Sequence, residues 1–228
     1  DNRFLYEGGN PTLQPEKVFN VEAMMLYKWL NVSVGYKYLK DVMEWTKYIY
    51  PGKEFAYNTS LNFDHKQLLY ASVNVSPKLG IFRPTWGFNY NQQFFDTRKY
   101  GASKALSKPL LSCSLNNNFA LSETMNAAIR LNASTTHADG FLMMKSGYSV
   151  NLQFDKSFAN RTWIIYLSAN DIFKTAKERW TMYGLGAGTT KDCYNYTRNI
   201  SLQVTYNFNA KRSKYKGTGA GNEEKSRL

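Results

Sequence analysis

A strict alternation of apolar and polar residues runs through residues 199–208. The apolar positions are Ile200, Leu202, Val204, Tyr206 and Phe208, and only Asn, Ser, Gln and Thr separate them. A period of two predicts a β-strand with one dry face and one wet face. The wet face carries uncharged amides and hydroxyls, whereas soluble sheets usually expose charges. Short neutral groups opposite an apolar band that ends in aromatics are typical of a membrane barrel wall.

The same period recurs along the chain and predicts about nine strands. The further segments are 19–27, 32–38, 69–75, 86–90, 111–115, 127–133, 148–154 and 163–169. Long polar loops are predicted at 41–66, 96–108, 135–145 and 173–195, and short turns alternate with them. This alternation is typical of bacterial outer-membrane barrels, which have short periplasmic turns and long extracellular loops. The predicted fold class is therefore all-β, an antiparallel transmembrane β-barrel.

An odd number of strands has a topological consequence. Single-chain bacterial barrels have an even number of strands, and an open sheet would leave two edges unpaired in lipid. Residues 1–209 are therefore expected to be the C-terminal part of a larger barrel in the cell outer membrane. Residues 210–228 carry six Lys or Arg against two Glu and are expected to form a basic periplasmic tail.

The formal net charge of +12 raises the question of an anionic partner. The basic residues are scattered over the predicted long loops, at Lys47, Lys53, Arg98, Lys99, Lys104, Lys174, Lys177 and Arg179. Scattered loop charges favour lipid head groups or an anionic ligand over nucleic acid, so no nucleic-acid partner is predicted. No run of 18 apolar residues occurs, which excludes a transmembrane helix.

The phase of the alternation assigns each strand residue to one side of the wall. The polar phase predicts that the lumen is lined by Asn20, Glu22, Asn89, Asn116, Arg130, Asn151, Asp155 and Gln203. The apolar phase predicts that lipid is contacted by Val32, Val34, Trp86, Phe88, Leu115, Ile129, Leu131, Val150, Leu152, Ile165, Leu167, Ile200, Leu202, Val204, Tyr206 and Phe208. Aromatic loop residues that could contact a ligand outside the cell are Trp45, Tyr48, Trp180 and Tyr183.

Catalytic and cofactor chemistry has no support in the sequence. His65 and His137 lie far apart, without Cys or His at metal-ligand spacing. The glycines of 184–188 do not have the spacing of a nucleotide-binding loop. We therefore predict no enzyme activity, no cofactor and no metal site.

Three segments together resemble the TonB-dependent receptor-like outer-membrane β-barrel proteins of Bacteroidota. They are GNPTLQPE at 9–16, SANDIFKT at 168–175, and the last strand with the tail, YNFNAKRSKYKGTGAGNEEKSRL. The resemblance implies a barrel of about 22 strands, with a plug domain that contacts a TonB-type energy transducer. It also implies uptake of a nutrient or chelate. The matching residues belong to the barrel, so the plug and the transducer contact would lie outside them.

Two other functions stay open at this stage. The first is an outer-membrane barrel that scaffolds or binds a surface partner, such as a surface lipoprotein, without transport. The second is a soluble β-sheet binding protein, because a water-facing sheet can show the same alternation.

Overall fold

The structure, a computed structural model, describes residues 5–49, 52, 55–186 and 188–208, so the predicted tail at 210–228 lies outside it. A 3-10 helix spans Thr97–Tyr100, and no helix within these ranges is long and apolar enough to cross a membrane. The strands are β1 (Leu5–Glu7), β2 (Lys17–Tyr27), β3 (Leu30–Ile49), β4 (Ala56–Val75), β5 (Phe82–Phe94), β6 (Leu110–Ser122), β7 (Met125–Ser134), β8 (His137–Asp139), β9 (Leu142–Met144), β10 (Gly147–Phe158), β11 (Trp163–Asn170), β12 (Lys177–Tyr183), β13 (Gly188–Tyr194) and β14 (Asn199–Tyr206).

Nine of these strands form one antiparallel path, in the order β2-β3-β4-β5-β6-β7-β10-β11-β14. This confirms the all-β antiparallel fold. Short connections lie at 28–29, 76–81, 123–124 and 159–162, and long ones lie at 95–109, 135–146 and 171–198. Two of the longer connections carry the hairpins β8-β9 and β12-β13, which pair into a separate four-stranded sheet. The short strand β1 is an addition that the alternation does not indicate, and it pairs with β4 in parallel.

The long loop predicted for 41–66 is wrong, because strands β3 and β4 continue through it. They stay paired from Leu30–Val75 to Ile49–Ala56, so each strand is 20 residues long. Asp41 interrupts the alternation with a φ of 55°. Residues three apart on a regular strand point to opposite faces, yet Leu39 and Val42 are both buried in one cluster. A strict period of two cannot represent such a phase change, which is why the sequence pattern ended there.

The strand register sorts the sheet into an apolar face and a polar face. One row across five strands consists of Val75, Trp86, Leu115, Leu131 and Val150. A row of the opposite phase consists of Ser33, Ser72, Asn89, Ser112 and Ser134. Paired residues share a face of a pleated sheet, so these rows extend the alternation of single strands across the whole wall.

A hydrophobic cluster joins the β3-β4 extension to the loops at the same end of the sheet. Its buried members are Leu39, Val42, Phe63, Phe95, Ala102 and Phe141. The Phe63 ring lies 5.7 Å from Phe95 and 4.9 Å from Phe141, measured between centroids. We call residues 95–109, 135–146, 171–186 and 188–198 the loop cap. The cap is held by its own apolar packing, which is how compact functional loops are often stabilised.

The two outer strands of the path, β2 and β14, have no second neighbour among the described residues. All 11 residues of β2 are exposed, and Ile200 of β14 is 80% exposed. The described part of the sheet is therefore open, and a closed barrel of about 22 strands stays a prediction.

Tyr70 crosses strand β3 on the polar face at Gly35. Its hydroxyl lies 2.9 Å from Asn20 Oδ1 and 3.0 Å from Glu22 Oε2 of strand β2. A Cβ atom at position 35 would overlap the Tyr70 ring. The glycine therefore gives the ring the room it needs to span three strands, as glycine does where groups approach closely.

We predict that Gly35→Ala destabilises the sheet by about 1–2 kcal/mol, because the Tyr70 ring must move and lose its polar contacts. Urea unfolding of the protein in lipid vesicles measures this loss. The control is Gly87→Ala, since a Cβ there meets only Asn74 Oδ1, at 3.1 Å. In a Tyr70→Ala background the Gly35→Ala change should have little effect. An equal loss with and without Tyr70 would refute the role of the ring.

Candidate functional site

All eight residues predicted to line the lumen lie on the polar face. Glu22 pairs with Gly35, which pairs with Tyr70, and Arg130 pairs with both Asn116 and Asn151. The pairings of Asn20, Asn89, Asp155 and Gln203 with their neighbouring strands place these four residues on the same face. The structure thus brings the eight onto one surface, and the assignment of that surface to a lumen stays a prediction.

The polar side chains of this face bond mainly to their neighbours. Asn126 Nδ2 donates to Asp155 Oδ2 at 2.8 Å, and Gln203 Nε2 donates to Thr205 Oγ1 at 3.3 Å. Pairs of serines also meet across strands, with Ser33 and Ser72 hydroxyls 2.9 Å apart. Such cross-strand pairs stabilise a sheet while their remaining donors and acceptors stay free for water or a polar solute.

The residues predicted to contact lipid share the other face. Their pairings include Leu152 with Ile129, Leu202 with Leu167, and Val204 with Ile165. Phe208 follows the last strand, and its ring lies 4.5 Å from that of Tyr206. Leu202 is 66% exposed although it is apolar. A continuous exposed apolar surface of this kind marks a membrane or protein contact.

A cavity of about 550 Å³ lies between the polar face and the loop cap. The wall contributes Asn89, Ser112, Asn132 and Ser149, and the cap contributes Glu178 and Asn195. The wall groups are neutral hydrogen-bonding side chains. These groups can hold a polar solute by hydrogen bonds, and Lys177 and Glu178 of the cap add one charge of each sign to the lining.

Glu178 is the acidic group of this cavity, and its carboxylate is fully engaged. Lys191 Nζ donates to Oε2 at 2.7 Å, Trp180 Nε1 donates to Oε1 at 2.9 Å, and Asn195 Nδ2 donates to Oε2 at 3.3 Å. These bonds, with that from Lys191 the strongest, lower the pKa of Glu178 to about 2. A carboxyl that stays ionised and occupied holds β12 against β13 and has no proton to give near neutral pH.

The four aromatic ligand candidates lie on two strands, β3 and β12. Trp45 and Tyr48 lie on strand β3, three residues apart, and not in a loop as predicted. Trp180 is bonded to Glu178, and Tyr183 packs against a separate cluster of Leu106, Ala138 and Met143. The predicted loops thus form strands at these positions, and contact of the four side chains with a ligand stays a prediction.

Asp171 closes the base of the longest loop. Its Oδ1 accepts from the Thr175 amide at 2.8 Å and the Ala176 amide at 3.1 Å, and its Oδ2 accepts from Thr197 Oγ1 at 2.8 Å. Its own amide donates to Asn151 Oδ1 on β10 at 2.8 Å. Burial alone would raise the pKa of Asp171, but these bonds hold that pKa below its usual value. The carboxylate therefore ties both ends of the loop together.

The sequence drew attention to 168–175 only through resemblance, and the role of Asp171 was missed. The sequence does contain a signal for this role, because Asp171 stands just after a predicted strand and four positions before Thr175. Asp side chains often accept bonds from backbone amides a few residues later, and so stabilise the start of a loop.

The other internal segment of the resemblance, 9–16, ties strand β2 to the β3-β4 extension. Asn10 Nδ2 donates to the Ser60 carbonyl at 3.2 Å. The Gln14 amide donates to Asn62 Oδ1 at 2.7 Å, and the Met43 amide donates to Glu16 Oε2 at 3.2 Å. The two prolines cannot donate to a sheet ladder, so side chains replace the missing backbone pairing.

Metal-ligand geometry is absent from the ranges that the structure describes, where no three His, Cys, Asp or Glu side chains group together. His65 stacks on Tyr38 with ring centroids 5.8 Å apart, and His137 Nδ1 lies 2.9 Å from the Thr135 carbonyl oxygen.

An antiparallel meander with one exposed apolar face, one polar face and loops gathered at one end has the features of an outer-membrane barrel wall. The chain belongs to the outer membrane protein beta-barrel family, whose model matches residues 1–206. It is a protein of the outer membrane, and a soluble sheet is thereby set aside.

Two further comparisons accompany the family match. One solved structure is similar, that of in-vitro folded OmpT, an outer membrane protein of Vibrio cholerae, with 12% sequence identity and a TM-score of 0.45. The similarity covers 84% of this chain and 55% of that chain, so the chain spans just over half the length of that protein. A comparison with curated protein sequences finds no match.

We predict that Asp171→Ala opens the base of the loop, because the half-buried amides of Thr175 and Ala176 lose a charged acceptor worth about 1.5–3 kcal/mol per bond. Hydrogen exchange should show lost protection of the Thr175 and Ala176 amides. The control is Asp192→Ala, an exposed aspartate of the same loop. The folded pKa lies below the unfolded value of about 3.9, so the stabilisation is complete at neutral pH and is lost as the pH falls through the folded pKa. Unchanged protection in Asp171→Ala would refute this role.

We predict that Leu202→Arg costs about 2–4 kcal/mol of stability in lipid, the penalty for a cation on the lipid face near the bilayer midplane. Gln203→Arg is the matched control, because it places the same side chain on the polar face one residue away. Urea unfolding in phospholipid vesicles compares the two variants. Equal losses would show that the two faces are assigned wrongly.

Proposed function

We propose that this chain is the C-terminal barrel part of a TonB-dependent outer-membrane transporter that takes up a nutrient or chelate. The observation that supports this most is the polar face, made mostly of amides and hydroxyls, that continues across nine neighbouring strands beneath a packed loop cap. A water-filled barrel interior carries such groups, because they hydrate a passing solute without trapping it.

The open edges support a larger barrel. Neighbours in the path are antiparallel, so β2 and β14, as first and ninth strands, run in the same direction. If the nine strands closed into a barrel by themselves, β2 and β14 would pair in parallel. Bacterial single-chain barrels instead consist of an even number of antiparallel strands. Further strands that pair with β2 and β14 would satisfy both edges, and about 22 in total is what the resemblance to TonB-dependent receptors of Bacteroidota implies.

The loop cap suggests how solute access would be organised. It is packed on the β3-β4 extension by the Phe63 cluster and is closed at its base by Asp171. A cap with this much buried contact gives a preformed entrance over the polar face. Energised release would then depend on the plug domain and on its contact with the TonB-type transducer.

The test is deletion of the complete gene in its native host, followed by growth on a panel of single nutrients and metal chelates. We expect a growth defect on at least one of them. Deletion of the energy transducer should give the same defect, and the double deletion should add nothing, because both act in one step. Complementation with the unaltered gene must restore growth. A strain that grows like the parent throughout, or a defect additive with loss of the transducer, would contradict transport.

A barrel that binds a surface partner, such as a surface lipoprotein, is the second candidate. The exposed aromatics of the loop cap favour it, since Tyr196 is 86% exposed and Phe173 is 60% exposed. Exposed aromatics are common at protein interfaces. Normal growth of the deletion strain, together with loss of one lipoprotein from the cell surface, would support this function over transport.

A further inference from the structure

A second cavity, of about 520 Å³, lies where the last pair of β7 and β10 meets the loop cap. Three basic side chains line it, those of Lys174, Lys177 and Arg179. The remaining lining is neutral and includes Thr175, Ser146 and Tyr148. The cavity is therefore positively charged and has no acidic group in its own wall.

The three cations have no salt-bridge partner among the described residues, and Lys174 Nζ lies 5.3 Å from the centroid of the Tyr194 ring. The acidic partners in the ion pairs of these ranges are Asp64, Glu44 and Glu178, each paired with another base. Asp192 is the cross-strand neighbour of Arg179 but does not line the cavity. Like charges around one cavity repel each other, and a bound anion would remove that cost.

Arg179 is held in place with one donor unused. Its Nη2 donates to the Ser146 carbonyl oxygen at 2.7 Å, which fixes the guanidinium plane. Its Nε is buried and has no hydrogen-bond partner. A buried donor without an acceptor is unfavourable, so the guanidinium would gain from a side-chain shift that lets Nε reach a ligand oxygen in the cavity.

Phosphate has the oxygen atoms that this arrangement can bind. A guanidinium offers a planar set of donors that matches phosphate, lysines add point charges, and hydroxyls such as that of Ser146 add neutral donors. We propose that Lys174, Lys177 and Arg179 form a binding site for a phosphate-bearing anion. The site adjoins the first cavity, with which it shares Lys177 and Thr175, but its test does not depend on the transport proposed above. The phosphate can come from the head group of an outer-leaflet lipid or from a soluble solute.

The test uses the complete protein in maltoside micelles, which contain no phosphate. The variant is Lys174→Gln with Lys177→Gln, because both side chains are exposed and their loss should leave the fold intact. Lys108→Gln, an exposed lysine of the same cap outside the cavity, is the matched control. The shift in electrophoretic mobility on heating checks that every variant is folded.

Two measurements separate the sources of phosphate. Calorimetry with inorganic pyrophosphate measures binding of a soluble anion. Native mass spectrometry counts bound lipid A after incubation with its phosphorylated or dephosphorylated form. We expect binding in at least one measurement, weakened about tenfold or more in the double variant by loss of charged hydrogen bonds, and unchanged in Lys108→Gln.

The outcomes assign or overturn the site. Pyrophosphate binding without retention of lipid A assigns a soluble ligand, and retention of only the phosphorylated lipid assigns a head group. Arg179→Lys should also weaken binding, because it keeps the charge but removes the guanidinium donors. Absence of binding in both measurements, or equal binding by the parent and the double variant, would overturn the proposal.

Discussion

Hydrocarbon offers no hydrogen-bond partner to a peptide group, and the architecture of this protein depends on that constraint. Each strand of the wall must find its partners in neighbouring strands, which a meander with short turns provides along the chain. The same constraint makes β2 and β14 the most informative strands, since each has one unpaired edge among the described residues. The alternating side chains then separate the two solvents, with apolar rows on one face and amides and hydroxyls on the other.

The loop cap follows a different physical rule from the wall. Apolar residues of the cap lie at the same end as the β3-β4 extension, and they are buried by one another and by Phe63. The cap therefore has a buried hydrophobic core like that of a soluble protein, whereas the wall has its apolar side chains on the outside. The phase change at Asp41 connects the two, because it turns the side chains of β3 so that Val42 joins Leu39 in the core.

The wall was predictable from sequence because its constraint is local. Each residue such as Leu202 or Gln203 faces one solvent, and its neighbours two positions away face the same one. The polar-face candidates were accordingly placed together by the register. The β3-β4 extension was missed because Asp41, with its positive φ, shifts the alternation by one residue. A search for a strict period of two stops at such a shift. The surroundings of the ligand candidates were also beyond a local pattern, because Trp45 and Tyr48 lie on the missed β3-β4 extension and Tyr183 packs against Leu106, which is distant in sequence.

The hydrogen bonds of Asp171 divide the longest loop into a fixed base and an outer hairpin. The bond from Thr197 to Asp171 joins the two ends of the loop beside the wall, so the pairing of β11 with β14 does not depend on what lies between. The hairpin β12-β13 can then change in length or sequence during evolution at little cost to the barrel. The hairpin can thereby gain new surface contacts while the strand pairing of the wall beneath it is preserved.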